Sequence, residues 1–123
     1  MHWAFNVPRG QMARYWKHIP HGLDILITHG PPYGILDQRV APTMRRVVPW
    51  EDEEQFGGSD HIGDEELLVA VNETKPRIHV FGHIHGGYGR AQNNDTAFYN
   101  AAICDENYEP RREPWAIEMV LRK

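Results

Sequence analysis

The sequence predicts an α/β fold with an antiparallel extension, on three observations. Two short apolar runs each lead into glycine, helical segments alternate with them, and two more strand candidates separated by turn residues follow near the carboxyl terminus. Pro8 is expected to open a short helix through Met12, Tyr15 and Trp16, an i, i+3, i+4 apolar stripe that Pro20 stops, with its arginines facing solvent. Leu23 to Thr28 is β-branched and nearly all apolar, which fits a strand buried on both faces. Gly30-Pro31-Pro32 ends it and leaves His29 at its carboxyl end. Residues 30–58 are rich in Pro, Gly and charge, longer than ordinary connectors, and read as a candidate lid. Asp64 to Val71 reads as a helix with acids in its first turn, where they favour the positive end of the dipole, and it must finish before Pro76. Arg77 to Phe81 is a second buried strand. Thr96 to Cys104 and Trp115 to Leu121 are the remaining strand candidates, with Asn93-Asn94-Asp95 and Glu109-Pro110-Arg111 as turns.

The 123 residues, 41% hydrophobic and 24% charged, fit one domain over residues 1–123 and exclude fibrous and disordered classes. No apolar run approaches the roughly 18 residues of a membrane span, and the amino terminus lacks the features of a signal peptide, so a soluble cytoplasmic protein is expected. Cys104 is the sole cysteine, which precludes an intrachain disulfide and reads as a small core hydrophobe. Thirteen Lys and Arg against seventeen Asp and Glu argue against a nucleic-acid scaffold as partner. The charge is uneven. Arg9, Arg14 and Lys17 stand without an acid in residues 1–22, whereas residues 51–66 carry eight acids and no Lys or Arg, the pattern of a solvated loop.

Eight histidines are the compositional oddity. In Gly82-His83-Ile84-His85-Gly86-Gly87-Tyr88-Gly89 two imidazoles two residues apart point the same way in an extended chain, which suits either a metal site or partly exposed polar residues. The glycines let backbone approach a ligand closely, and equally suit a tight turn. His29 ends the other strand, so three imidazoles are expected at one carboxyl edge, where open α/β sheets place ligands. His79, inside an apolar run, reads as a core histidine with a satisfied hydrogen bond. His2, His18, His21 and His61 read as surface or loop residues, and Arg9, Tyr88 and Asn100 as structural.

Thr28-His29-Gly30-Pro31-Pro32, followed some fifty residues later by Val80-Phe81-Gly82-His83-Ile84-His85, resembles the carboxyl-terminal half of the calcineurin-like metallophosphoesterases. Within them it is similar to the metallophosphoesterase domain-containing subfamily, which His2-Trp3-Ala4-Phe5-Asn6, Pro8-Arg9-Gly10 and Tyr99-Asn100-Ala101-Ala102 also resemble. The resemblance implies two packed β-sheets flanked by helices and a dinuclear site of Mn, Fe, Zn or Mg. Such a site hydrolyses phosphomonoesters or phosphodiesters of a small molecule, a nucleotide among the candidates. It implies His29 and His83 as ligands of one metal and His85 as a ligand of the other. No Asp-x-His, Gly-Asp-x-x-Asp or Gly-Asn-His of the family is found, so no catalytic residue is assigned; Gly63-Asp64-Glu65-Glu66-Leu67 reads better as a helix start. The expectation is a partial domain lacking the amino-terminal strands, inactive alone and self-associating through an unpaired sheet edge. Two alternatives stand beside it. One is a mononuclear three-histidine zinc hydrolase of His29, His83 and His85; the other is a metal-free interaction module whose acidic stretch, Glu51 to Glu66, docks a basic partner.

Overall fold

The computed structural model describes residues 7–38, 61–105 and 107–120. Its elements in chain order are α1 (Ala13–Trp16), β1 (Ile25–Ile27), α2 (Glu65–Thr74), β2 (Ile78–Phe81), β3 (Gly89–Gln92) and β4 (Ala97–Asn100), with a 3-10 turn at His85–Gly87. The strands form one sheet in the order β1-β2-β4-β3. The pairs β1–β2 and β2–β4 are parallel, and β3–β4 is antiparallel. The α/β class with an antiparallel extension is thus observed, as one four-stranded sheet among the described residues.

Helix α2 forms where its signals place it. Asp64 is the N-cap, its Oδ1 accepting the amides of Glu66 at 2.9 Å and Leu67 at 3.3 Å. Lys75 closes the helix in a left-handed conformation (φ 53°), its amide bonded to the Val71 carbonyl, one residue before Pro76. The spacing i, i+3, i+4, i+7 buries Leu67, Ala70, Val71 and Thr74. Leu67 and Val71 meet Phe81 of β2 and Phe98 of β4 to make the core; each such side chain stabilises by about 1.5–3 kcal/mol on burial.

Helix α1 is shorter than the sequence suggests. Gly10 turns the chain with φ 85°, and the helix starts only at Ala13, where both oxygens of the Glu66 carboxylate accept the free amides of Met12 (3.0 Å) and Ala13 (2.9 Å). Trp16 Nε1 donates to Asp64 Oδ2 at 2.8 Å. Two acids from the start of α2 therefore dock α1, and the reading of residues 63–67 as a helix start holds. Arg9 does not merely face solvent: its guanidinium donates to the carbonyls of Ile62 (3.1 Å) and Gly63 (2.9 Å).

The first strand corrects a second expectation. β1 is not buried on both faces, since Ile25 is 49% and Ile27 74% exposed. It lies at the end of the strand order, and only the Leu26 face packs toward the core, so no second layer among the described residues covers the opposite face. The antiparallel extension also differs in detail. β3 (Gly89–Gln92) carried no strand signal, and residues 115–120 form no strand; Trp115 is instead pinned by its indole, which donates to the Asn100 carbonyl at 3.1 Å. Cys104 is half-buried. The candidate lid is described only over residues 30–38; its remainder, the acidic residues 51–60, His2 and Leu121 lie outside the described residues.

Candidate functional site

Parallel pairing of β1 with β2 brings two strand ends side by side. The amide of Thr28 bonds the Val80 carbonyl at 3.0 Å, and that of Gly82 bonds the His29 carbonyl at 3.0 Å, so His29 and His83 emerge together. Their ring centroids lie 4.5 Å apart at an interplanar angle of 39°. His83 sits at φ 69°, a left-handed conformation that costs an L-residue free energy and clusters at functional sites. Burial, and then the charges of His29 and His85, hold the His83 imidazole below its ordinary pKa, so it is neutral at neutral pH and keeps a lone pair.

His85 follows at the start of the 3-10 turn. Its Nδ1 lies 2.9 Å from the Asp105 carbonyl, which can only accept; the proton is therefore on Nδ1 and the lone pair on Nε2. A ligating histidine is oriented in this way, with one nitrogen donating to a carbonyl and the other open to an ion. The ring packs edge-on against Tyr108 at 5.3 Å. Arg112 donates to the carbonyls of His85 and Cys104, both at 2.7 Å, and fixes the backbone below the ring. Of the three expected histidines, His29 and His83 are in contact. His85 presents the right nitrogen, but no group of three His, Cys, Asp or Glu side chains among the described residues is close enough to hold an ion. The donors fit the imidazole part of a divalent-metal site.

A buried asparagine holds the glycine-rich turn. Asn100, 0% exposed at the end of β4, donates from Nδ2 to the carbonyls of Leu36 and Ile84, both at 2.9 Å, and accepts from the Ala102 amide at 3.0 Å. Gly87 is required there, because a Cβ would collide with the Leu36 carbonyl and come within 2.9 Å of Asn100 Nδ2. Tyr88 donates its hydroxyl to the Glu113 carbonyl at 2.6 Å and stacks on Trp115. The structural reading of Arg9, Tyr88 and Asn100 agrees with these contacts.

One pairing has no local signal in the sequence. His61, expected on the surface or in a loop, is half-buried, and its Nδ1 lies 2.6 Å from Oδ1 of the fully buried Asp37. The other oxygen of Asp37 accepts the amides of Gly34 (2.8 Å) and Gly63 (2.9 Å). Asp37 and His61 line a cleft of about 310 Å³ together with Leu36, Gly86, Gly87 and Tyr88. His18 and His21 are exposed, as expected. His79 corrects its expectation in part: it is wholly buried, with Nε2 bonded to Thr28 and Nδ1 left without a partner.

The fold and the site together define a mixed α/β sheet whose parallel strands deliver imidazoles to their carboxyl ends. No protein-family profile matches the chain. It is 44% identical to human metallophosphoesterase domain-containing protein 1 over 95% of its own length and 32% of that protein's. It is 38% identical to a UPF0046 protein of Caenorhabditis elegans over 91% of its own length and 24% of the relative's. The chain is similar to metallophosphoesterase-family proteins, and spans about a third of the length of the first of these relatives. Metallophosphoesterases usually bind divalent metal ions.

Proposed function

We propose that this chain forms the histidine wall of a metal-dependent phosphoesterase site, with His29 and His83 holding one ion and His85 contributing to a second. The observation that carries the reading is the contact between the His29 and His83 rings at the carboxyl edge of β1 and β2. Neutral imidazoles supply no charge to hold two cations about 3.5–4 Å apart, so the bridging carboxylates of a dinuclear centre must come from elsewhere.

Bound there, divalent ions would supply a water that ionises near neutral pH and positive charge facing the phosphoryl oxygens. The chain's own residues have three tasks. His83 stays neutral and keeps its lone pair available. Asp105 fixes the tautomer of His85, and Arg112 and Asn100 hold the turn that carries it. The cleft beside His85, lined by Asp37, His61, Gly86 and Tyr88, would receive the organic group of a phosphate ester, in size a small molecule such as a nucleotide.

The test is a calorimetric titration of the chain with manganese and with zinc, beside His83→Asn, since hydrolysis needs the bridging carboxylates as well. Affinity that His83→Asn reduces by about tenfold or more supports the reading, as loss of a ligand should. Affinity equal in the two proteins contradicts it.

A further inference from the structure

His79 is a buried titratable group that the proposed chemistry leaves unused. It sits in the middle of β2, opposite Leu26 of β1 and Phe98 of β4, with no exposed surface. Its ring packs edge-on against Phe81 at 5.0 Å and Phe98 at 5.8 Å, the surroundings of a leucine or phenylalanine. Its Nδ1 is buried without a hydrogen-bond partner. An apolar side chain would fill this slot without stranding a nitrogen, so the imidazole is unfavourable here unless its other nitrogen does something an apolar group cannot.

That nitrogen begins a directed relay. Thr28 Oγ1 lies 2.7 Å from the Gly30 carbonyl, which can only accept, so the single hydroxyl proton points at Gly30. The same oxygen lies 2.9 Å from His79 Nε2 and must accept from it. His79 therefore carries its proton on Nε2, and the bonds run from His79 through Thr28 to Gly30, each polarising the next. They clamp the two residues flanking His29. Gly30 in turn abuts the second imidazole: a Cβ added there would meet His83 Cδ2 at 3.8 Å. Backbone bonds fix where strand β1 ends, while this side-chain relay fixes how the chain turns beyond it, and that turn aims the His29 ring at His83.

We propose that His79 is a positioning residue, acting through the Thr28 hydroxyl on the Gly30 carbonyl to hold His29 against His83. Its functional weight rests on the reading of those two histidines as metal ligands, but the positioning itself does not need a metal to be observed.

The experiment uses nuclear magnetic resonance on the metal-free chain and follows the cross-peak between the His29 and His83 ring protons. The parent should give the cross-peak and a His79 ring in the Nε2–H form. Thr28→Val, which keeps the shape but not the hydroxyl, should lose the cross-peak, and Thr28→Ser should restore it. Thr74→Val removes a buried hydroxyl bonded to the Ala70 carbonyl in α2, and should lower stability without touching the cross-peak. His79→Phe should behave as Thr28→Val does; if it fails to fold, Thr28→Val leaves the core ring in place and decides alone. A cross-peak that persists in Thr28→Val, or that Thr74→Val also removes, overturns the proposal. Cobalt titration of the same proteins separates the two claims. Affinity should fall about tenfold or more in Thr28→Val, the scale of losing a group that orients a ligating histidine, and return in Thr28→Ser. A parent that shows the cross-peak pattern but binds no cobalt leaves the positioning standing and removes the metal reading. Cobalt binding that is equal in parent and Thr28→Val while the cross-peak is lost contradicts the functional weight given to His79.

Discussion

The imidazoles of His29 and His83 meet at a centroid distance of 4.5 Å, brought together by the parallel pairing of β1 with β2. His83 makes this contact from a left-handed backbone conformation at φ 69°. His83→Gly should therefore relieve strain and raise stability by about 1 kcal/mol, because glycine adopts positive φ without a Cβ penalty while losing more chain entropy. The same change removes an imidazole and should weaken zinc binding. Urea denaturation and a zinc titration on the two proteins check it; equal or lower stability in His83→Gly contradicts the strain.

Asn100→Ala should destabilise the chain by about 3 kcal/mol, since it strands the buried carbonyls of Leu36 and Ile84 as well as deleting their donor. Denaturant midpoints measure the loss. Hydrogen exchange should place it in the segments around Leu36 and Ile84, and uniform acceleration across the sheet would argue against a local staple.

Acid should weaken the fold through His79, whose burial lowers its pKa from the ordinary 6.5 to about 4. Between these values the unfolded chain binds a proton that the folded chain does not, so stability falls as pH drops from about 6.5 to 4 and is constant for this group above that window. At about 1.4 kcal/mol per unit the full loss is roughly 3 kcal/mol. His83, shifted in the same direction, adds to it. Unfolding measured at pH 7 and pH 4.5 should show the slope in the parent and a shallower one in His79→Phe.

How much of this was legible depended on whether the cause was local. Helix α2 was readable because its cap Asp64, its apolar spacing and Pro76 all lie within a dozen residues. The placement of His29 and His83 was readable because two apolar runs that each lead into glycine, paired in parallel, deliver their next residues to one sheet edge. β3 was not, since Gly-Arg-Ala-Gln carries no β-branched or aromatic residue and becomes a strand by pairing with β4 across the turn that Asn93 caps. The apolar run of β1 could not tell whether a second layer covers it. The orientation of His61 and His85 has no local signal, because Asp37 and the Asp105 carbonyl, which orient them, are at least twenty residues away.

Ile25 and Ile27 expose apolar surface on a strand that pairs on one side only among the described residues. Chain produced alone should self-associate through this edge, the usual fate of an exposed, flat, hydrophobic strand. Sedimentation velocity should find oligomers whose population falls in Ile27→Lys. A parent that sediments as a monomer across concentrations contradicts the expectation.

The most direct test of the histidine wall is the metal-to-protein ratio after reconstitution with zinc or manganese and removal of loosely bound ion, measured on the parent and on His83→Asn. Bound metal is expected in the parent, about one ion per chain in the absence of bridging carboxylates, and its loss is expected in His83→Asn. A parent that retains no metal, or a His83→Asn chain that retains as much as the parent, would contradict it.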